Sequence, residues 1–169
     1  MPEVKGYDLP GVKTCDLRVI PDERGFFSEA ARRDWGELLE GDEIAQVNVS
    51  FSYPGIIRAW HRHLRGQVDY FLVLQGAMKI CAYDDRDGPT KGKLVEIIAS
   101  SQKPQLVRIP GIYWHGTKTL GSEPSMMVYF VTRLYDYQNP DEERRPWNDR
   151  RVIDPGTGEP FNWNKPPHK

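Results

Sequence analysis

Apolar and polar residues alternate along much of the chain, in short segments that end at clusters of Gly, Pro, Asp or Ser. Because successive side chains of a strand point to opposite faces of a sheet, this two-residue period predicts β-strands. The pattern places strands at residues 12–20, 44–51, 56–63, 68–74, 78–84, 94–99, 105–109 and 125–133. Many short strands at close spacing are typical of an all-β barrel or jelly roll.

One segment has a helical period instead. Trp35, Leu38 and Leu39 are spaced as on one face of a helix, and Gly41 is a suitable end for it. The pattern therefore predicts one short helix near residues 30–39.

The length of 169 residues suits one domain with an adequate core, so we expect a single domain over residues 1–169. From about residue 136 onward, the chain is rich in Pro, Asp, Glu and Arg. We expect this tail to wrap the surface of the domain or to dock on a second copy of the chain.

Positive and negative charges nearly cancel, and the formal net charge at pH 7 is −1. This balance gives no reason to expect a nucleic-acid or membrane partner. Cys15 and Cys81 are the only cysteines and lie far apart in sequence, so no disulfide framework is expected. The N-terminus has no apolar core of signal-peptide length, and no run is long enough to span a membrane. We therefore expect a cytoplasmic protein.

Two of the four histidines, His61 and His63, occupy alternate residues of a predicted strand and therefore share a face. Asp69 is an even number of residues from both and adjoins an apolar, β-prone stretch that ends at Gly76. Two imidazoles and a carboxylate beside a hydrophobic strand indicate the inside of a small barrel. Such an interior is either packed solid or holds one ligand.

With Pro110 and His115 about forty residues farther on, the spacing of these groups resembles the paired motifs of the cupin superfamily. In metal-binding cupins such a set holds one divalent ion. Neutral imidazole and carboxylate oxygen suit zinc, iron, nickel or manganese. The candidate metal ligands are His61, His63, Asp69 and His115. The alternative is that these histidines are simply hydrogen-bonded within the wall of the barrel.

Several segments, in their order and spacing, resemble the dTDP-4-dehydrorhamnose 3,5-epimerase family, a branch of the cupins. The most specific is Asp22-Glu23-Arg24-Gly25-Phe26-Phe27. The others are residues 46–50, 55–61, 128–132 and 147–149, together with Tyr135. The resemblance covers most of the chain, from about residue 12 to residue 149. It implies a cupin-type jelly roll, a homodimer and a deoxynucleoside-diphosphate sugar as ligand.

The resemblance also implies roles for individual residues. His61 matches the catalytic base of the family, and Tyr129 matches its tyrosine acid. Arg24 and Arg58 match arginines that engage the diphosphate, which suits guanidinium groups because they bind phosphate oxygens in pairs. The candidate substrate-binding residues are Arg24, Phe27, Glu29, Gln46, Asn48, Arg58, His115 and Tyr135.

Three departures from the family pattern concern the reacting centre. Asp69 occupies the position of a lysine that supports the developing oxyanion, and a carboxylate there repels an enolate unless it is protonated or bound to a metal. The C-terminal aspartate segment that orients the base is missing, which makes Asp69 a candidate to orient His61. His63 replaces a non-histidine residue and is a candidate to stabilise the enolate or to bind a metal. Asp69 and His63 are therefore predicted catalytic helpers.

These residues predict an epimerase or isomerase that removes a proton next to the keto group of a nucleotide-linked 4-keto-6-deoxy sugar, in polysaccharide or secondary-metabolite synthesis. We expect no cofactor, since the chain has no Gly-rich dinucleotide motif, with a divalent metal as the lesser possibility. Two alternatives stay open. One is a metal-dependent cupin enzyme that acts on a different small molecule, and the other is a nucleotide-sugar-binding cupin without catalysis.

Overall fold

The computed structural model describes residues 3–166, in which two sheets pack face to face beside a separate hairpin. The six-stranded sheet has the spatial order β1 (Val4–Gly6), β2 (Lys13–Asp16), β10 (Gln105–Pro110), β7 (Val68–Gln75), β12 (Ser125–Val131) and β5 (Gln46–Ser52). The five-stranded sheet has the order β13 (Glu143–Arg144), β6 (Ile57–Arg62), β11 (Trp114–Leu120), β8 (Ala77–Tyr83) and β9 (Leu94–Ser100). The hairpin consists of β3 (Ile20–Asp22) and β4 (Gly25–Phe27). This all-β jelly roll confirms the predicted fold class.

A single short helix, α1, covers Gly36–Leu39 and not the predicted residues 30–39. The predicted start was wrong: residues 30–32 are irregular, and Arg33 and Asp34 form a turn in which the Trp35 N–H donates a 3.1 Å hydrogen bond to the Arg32 carbonyl. The helix buries Leu38 and Leu39 on the outer side of the six-stranded sheet. The helical spacing of these apolar residues therefore reflects their packing against the sheet, which a single helical turn is enough to provide.

The strand β11 was not predicted, although it lies in the middle of the five-stranded sheet between β6 and β8. Its central Gly116 weakens the strand signal, since glycine has low β-propensity. A Cβ atom at this position would lie 2.3 Å from the Cβ of Ala59, so the two strands approach too closely for any side chain. The predicted strand at residues 12–20 is also shorter in the structure, where β2 ends at Asp16.

Apolar side chains from both sheets fill the interior at one end of the jelly roll. Phe71 and Val73 of β7 pack there with Met78 and Ile80 of β8. Toward the other end the interior is polar and opens into a cleft, whose wall includes Phe71. The apolar core therefore closes the inner end of the cleft.

Residues after the last long strand cover the outer face of the five-stranded sheet. Val152, Phe161 and Trp163 pack there with Trp60 and Trp114 in a second buried cluster. β13 pairs with the edge of β6, and the chain around it passes the mouth of the cleft. In the part of the chain described, no helix has the length and apolar character needed to cross a membrane.

Candidate active site

The open end of the jelly roll contains a cleft of about 1000 Å³ between the two sheets. Its walls come from β5, β6, β7, β11 and β12, and from the segment that follows β12. The cleft brings together most of the residues that the sequence singled out. Those along its wall are Gln46, Asn48, Arg58, His61, His63, Asp69, His115, Tyr129 and Tyr135.

His61 lies on β6, directly opposite His115 on the neighbouring strand β11. The centroids of the two rings are 4.3 Å apart. Burial, and then the nearby His115, lower the pKa of His61 well below its ordinary value, so the ring is neutral at pH 7. No hydrogen bond joins this ring to residues 3–166. A ring nitrogen of His61 is therefore available to accept a proton from a bound molecule.

Asp69 lies on β7 between His63 and His115, where it is only 3% exposed. Its Oδ2 atom is 3.0 Å from Nε2 of His115 and 3.5 Å from Nε2 of His63. Gln67 donates a hydrogen bond of 2.7 Å to Oδ1 of the same carboxylate. Burial alone would raise the pKa of Asp69, but the contacts with the two histidines outweigh it and lower the pKa. Asp69 is therefore a carboxylate at pH 7.

The other nitrogen of each of these two histidines faces a backbone carbonyl. His115 Nδ1 is 2.8 Å from the carbonyl oxygen of Tyr113, and His63 Nδ1 contacts the carbonyl oxygen of Asp141. Because a carbonyl only accepts, each Nδ1 must carry the proton and donate it. The Nε2 atoms of both rings face Asp69. Burial alone would lower the pKa of His63, but the contact with the Asp69 carboxylate outweighs it and raises the pKa.

The suggestion that Asp69 orients His61 is wrong. The carboxylate makes its close contacts with His63 and His115, and no ion pair connects it to His61 within residues 3–166. The even spacing in sequence correctly placed His61, His63 and Asp69 in one cleft. The register of β11, however, brings His115 nearest to Asp69.

Tyr129 lies on β12, opposite Asn48 of β5, and its ring is 6.1 Å from that of Phe71. Burial, followed by the negative charge of Asp69, raises the pKa of Tyr129. The phenol therefore keeps its proton at pH 7 and is a hydrogen-bond or proton donor within the cleft.

Two amide side chains lie on the cleft face of β5. Gln46 donates a hydrogen bond of 2.8 Å to Asn48 and accepts one of 3.0 Å from the backbone N–H of Tyr135. The adjacent residues Val47 and Val49 point to the outer face and are exposed. The predicted alternation of β5 is therefore correct, but its polar face is the one that points inward.

Arg58 lies on β6 at the rim of the cleft. It donates hydrogen bonds to the Ser52 hydroxyl at 2.9 Å and to the Phe51 carbonyl at 3.1 Å. No carboxylate of the described residues pairs with it, so its positive charge faces the cleft uncompensated.

Three predicted substrate-binding residues lie outside the cleft of their own chain. Arg24 is exposed on the β3–β4 hairpin and pairs with Asp22. Phe27 is exposed on the same hairpin, and Glu29 pairs with Arg32. The expectation that Arg24 and Arg58 flank one cleft is thus not met within a single copy of the chain.

Sequence reasoning missed two residues that shape the site. Gln67 was detectable, since it lies two residues before Asp69 and shares its face. Asp141 was not detectable, because it lies in an irregular segment without periodicity. Its carboxylate accepts hydrogen bonds of 2.9 Å from the backbone N–H groups of Leu64 and Arg65, which fixes the loop after His63.

The comparison with protein families agrees with this arrangement. Residues 6–153 match the family described as dTDP-4-dehydrorhamnose 3,5-epimerase. The chain belongs to this family. It is 44% identical over 142 residues to the probable low-salt glycan biosynthesis epimerase Agl13 of Haloferax volcanii, covering 83% of this chain and 90% of the relative.

A second relative is the spore coat polysaccharide biosynthesis protein SpsL of Bacillus subtilis, at 38% identity over 157 residues, covering 92% of this chain and 97% of the relative. Among solved structures, the epimerase RmlC from Legionella pneumophila, in complex with dTDP-4-keto-L-rhamnose, superposes with a TM-score of 0.80. The identity there is 28%, and the match covers 90% of this chain and 81% of the other.

These comparisons confirm the predicted family, the cupin-type fold and the function class of a nucleotide-sugar epimerase among the isomerases. They support neither an enzyme for a different small molecule nor a binding module without catalysis.

Proposed function

We propose that the protein inverts a carbon next to the keto group of a nucleotide-linked 4-keto-6-deoxy sugar. The observation that carries this proposal is the position of His61 and Tyr129 in one open cleft, with the unpaired charge of Arg58 at its rim. A proton next to a ketone is acidic enough to be removed when a base is held close and the resulting enolate is stabilised.

His61 acts as the base, because it is neutral and no protein hydrogen bond blocks its ring. It takes the proton from the carbon, whose bonding electrons move to form the enolate while negative charge develops on the keto oxygen. Tyr129 acts as the acid, because its phenol is protonated and faces the same cleft. When Tyr129 delivers a proton to the opposite face of the carbon, the configuration inverts.

Arg58 binds the diphosphate of the substrate, since a guanidinium group stays charged and forms paired hydrogen bonds with phosphate oxygens. Gln46 and Asn48 read the donor and acceptor groups of the nucleobase. Their position on one face of β5 supports this role, as does the hydrogen bond that orders the two amides. A dTDP-sugar is the substrate class favoured by the name of the family.

We further propose that the protein is a homodimer and that the second copy completes the site. β5 is an edge strand whose outer face carries exposed Val47, Val49 and Phe51. The hairpin carries exposed Phe26 and Phe27. Apolar edge strands are normally covered in solution, and a second copy is the simplest cover.

In such a dimer, the hairpin of the second copy brings its own Arg24, Phe27 and Glu29 to the cleft. This arrangement accounts for their exposure within one chain and keeps the roles that the sequence predicts for them. Arg24 then joins Arg58 on the diphosphate, and Phe27 flanks the ligand.

The product enters the synthesis of a surface glycan, as the names of the relatives from H. volcanii and B. subtilis suggest. We place the reaction in the cytoplasm, which agrees with two buried cysteines that form no disulfide. Proton transfer at this carbon needs no redox cofactor, and the balanced charge of the chain suggests no nucleic-acid or membrane partner.

The experiment that tests the proposal is incubation of the protein with dTDP-4-keto-6-deoxyglucose in deuterated water, followed by NMR. The proposal predicts solvent deuterium at C3, at C5 or at both. If neither carbon exchanges while the nucleotide sugar still stabilises the fold thermally, the protein binds the ligand without this chemistry and the proposal is wrong for that substrate.

A further inference from the structure

We propose that Ser52 is a positioning residue of the diphosphate site. Its hydroxyl group and the backbone carbonyl of Phe51 occupy one edge of the Arg58 guanidinium group and direct the other edge into the cleft. This inference rests on the proposed function, in which Arg58 binds the diphosphate. It adds the reason why that side chain has a fixed direction before the substrate binds.

The regular geometry of β6 does not by itself turn Arg58 toward the cleft. Arg58 and His61 are three residues apart, and in a regular strand such side chains point to opposite faces. Both nevertheless line the cleft. Between the pair that Arg58 forms with Thr117 of β11 and the next pair, at His61, β6 contains one residue more than β11. This β-bulge re-aims the side chains beside it, so that both face inward.

A glycine on the partner strand makes room for the bulge. Gly116 follows the first of these pairs, and a Cβ atom there would lie 2.3 Å from the Cβ of Ala59. The hydrogen-bond ladder is disrupted at a bulge, so the strand alone does not fix the direction of Arg58. Arg58 is also exposed, so packing does not hold its long side chain in one rotamer. Its hydrogen bonds supply that restraint.

The acceptors of these hydrogen bonds lie on the opposite sheet. Ser52 is the last residue of β5 and is only 2% exposed. Its hydroxyl accepts a 2.9 Å hydrogen bond from Nε of Arg58, and the Phe51 carbonyl accepts one of 3.1 Å from Nη2. The two bonds join β6 of the five-stranded sheet to β5 of the six-stranded sheet. Because both acceptors belong to a paired strand, they hold the guanidinium group in one direction.

The number of N–H donors shows which edge of the guanidinium group stays free. Arginine has five such donors in a planar fork. Nε–H and one N–H of Nη2 lie along one edge, and these donors are engaged by Ser52 and Phe51. The other edge consists of Nη1 and the second N–H of Nη2, and no hydrogen bond or ion pair of residues 3–166 engages it. Two parallel N–H groups match two phosphate oxygens, so this free edge is the one that binds the diphosphate.

A side chain that is already ordered binds an anion more tightly than a mobile one. Immobilising a long side chain during binding weakens the affinity by about 3–10-fold, and the bond to Ser52 removes that cost beforehand. Without the hydroxyl, Nε–H of Arg58 loses its buried acceptor and the free edge loses its fixed direction. The charge of Arg58 is unchanged, so the effect is smaller than that of removing the guanidinium group.

The test measures the Kd of dTDP for the full-length protein by calorimetry. Ser52→Ala should raise this Kd by about 3–10-fold. Ser125→Ala is the matched control and should leave the Kd unchanged. Ser125 lies opposite Ser52 on β12 and is also buried, but its hydroxyl donates a 3.0 Å hydrogen bond to the Ala77 carbonyl and not to any group of the cleft.

A double-variant cycle separates a positioning role from a purely structural one. If Ser52 acts through Arg58, Ser52→Ala should not raise the Kd of dTDP further once Arg58→Ala is present. Additive effects would show that loss of the hydroxyl disturbs the cleft by another route, and would overturn the proposal.

The same measurements distinguish failure of this inference from failure of the proposed function. A wild-type Kd in Ser52→Ala, beside a raised Kd in Arg58→Ala, would overturn the positioning role and leave the proposed function intact. An unchanged Kd in Arg58→Ala would contradict the diphosphate role of that arginine in the proposed function, and this inference with it.

Discussion

Nε2 of His115 lies 3.0 Å from Oδ2 of Asp69. The negative charge of Asp69 is therefore engaged by imidazole groups and does not stand alone beside the reacting sugar. His61 and Tyr129 line the same cleft.

Asp69→Asn should remove the charge that holds His63 and His115 together, while Gln67 keeps a partner of similar shape. We expect kcat to fall about 10–100-fold, the usual cost of losing a partner that orients side chains of an active site. Steady-state kinetics measures this effect. Gln102→Asn, in a loop remote from the cleft, is the control and should leave kcat unchanged. Wild-type kcat in Asp69→Asn would contradict any role for the carboxylate.

Arg58→Ala should weaken the binding of dTDP, because one charge-assisted contact with phosphate contributes about 1.5–3 kcal/mol. This corresponds to about a 10–100-fold rise in Kd, measured by calorimetry. Arg33→Ala is the matched control, since that side chain is 96% exposed and lies outside the cleft. Equal affinities for the two variants would show that the diphosphate binds elsewhere.

Val49→Glu should convert the proposed dimer into monomers, because Val49 is 67% exposed on the outer face of an edge strand. A buried, unpaired carboxylate in an interface is strongly unfavourable. Light scattering coupled to gel filtration measures the mass. Ile98→Glu, on the edge strand β9 of the other sheet, should leave the mass unchanged. A wild-type monomer would contradict the dimer.

Trp163→Ala should lower the free energy of unfolding by about 3–5 kcal/mol, the usual cost of truncating a buried aromatic residue. Trp163 is 1% exposed, and its ring lies 4.9 Å from that of Trp60. Denaturant titration measures the loss. Trp147→Ala, at a side chain 45% exposed, should cost much less. If Trp163→Ala cost no more than an ordinary surface substitution, the C-terminal residues would contribute little to stability.

The period of two residues was sufficient to predict the central features of the site. It placed His61, His63 and Asp69 on inward-facing positions, and all three line the cleft. It also separated the two faces of β5 correctly. Local geometry decides these features, because a strand side chain can point only to one face or to the other.

Other features depend on contacts between distant segments, and local pattern does not encode those. Asp141 follows His63 by 78 residues and lies in an irregular segment, yet its backbone carbonyl contacts the His63 ring. The pairing of β11 with β6 placed His115, rather than His61, against Asp69. The position of Arg24 relative to the cleft depends on a second copy in our proposal. For these reasons the residue types were predictable, whereas their partners were not.

The most direct test of the account compares Tyr129→Phe and His61→Asn with the wild type, using dTDP-4-keto-6-deoxyglucose in deuterated water and NMR. We predict that His61→Asn loses both deuterium exchange and epimerisation by about 10²–10⁴-fold. Tyr129→Phe should retain exchange next to the keto group while the inverted product falls sharply. Exchange at the wild-type rate in His61→Asn would show that another group removes the proton, and would contradict the central claim.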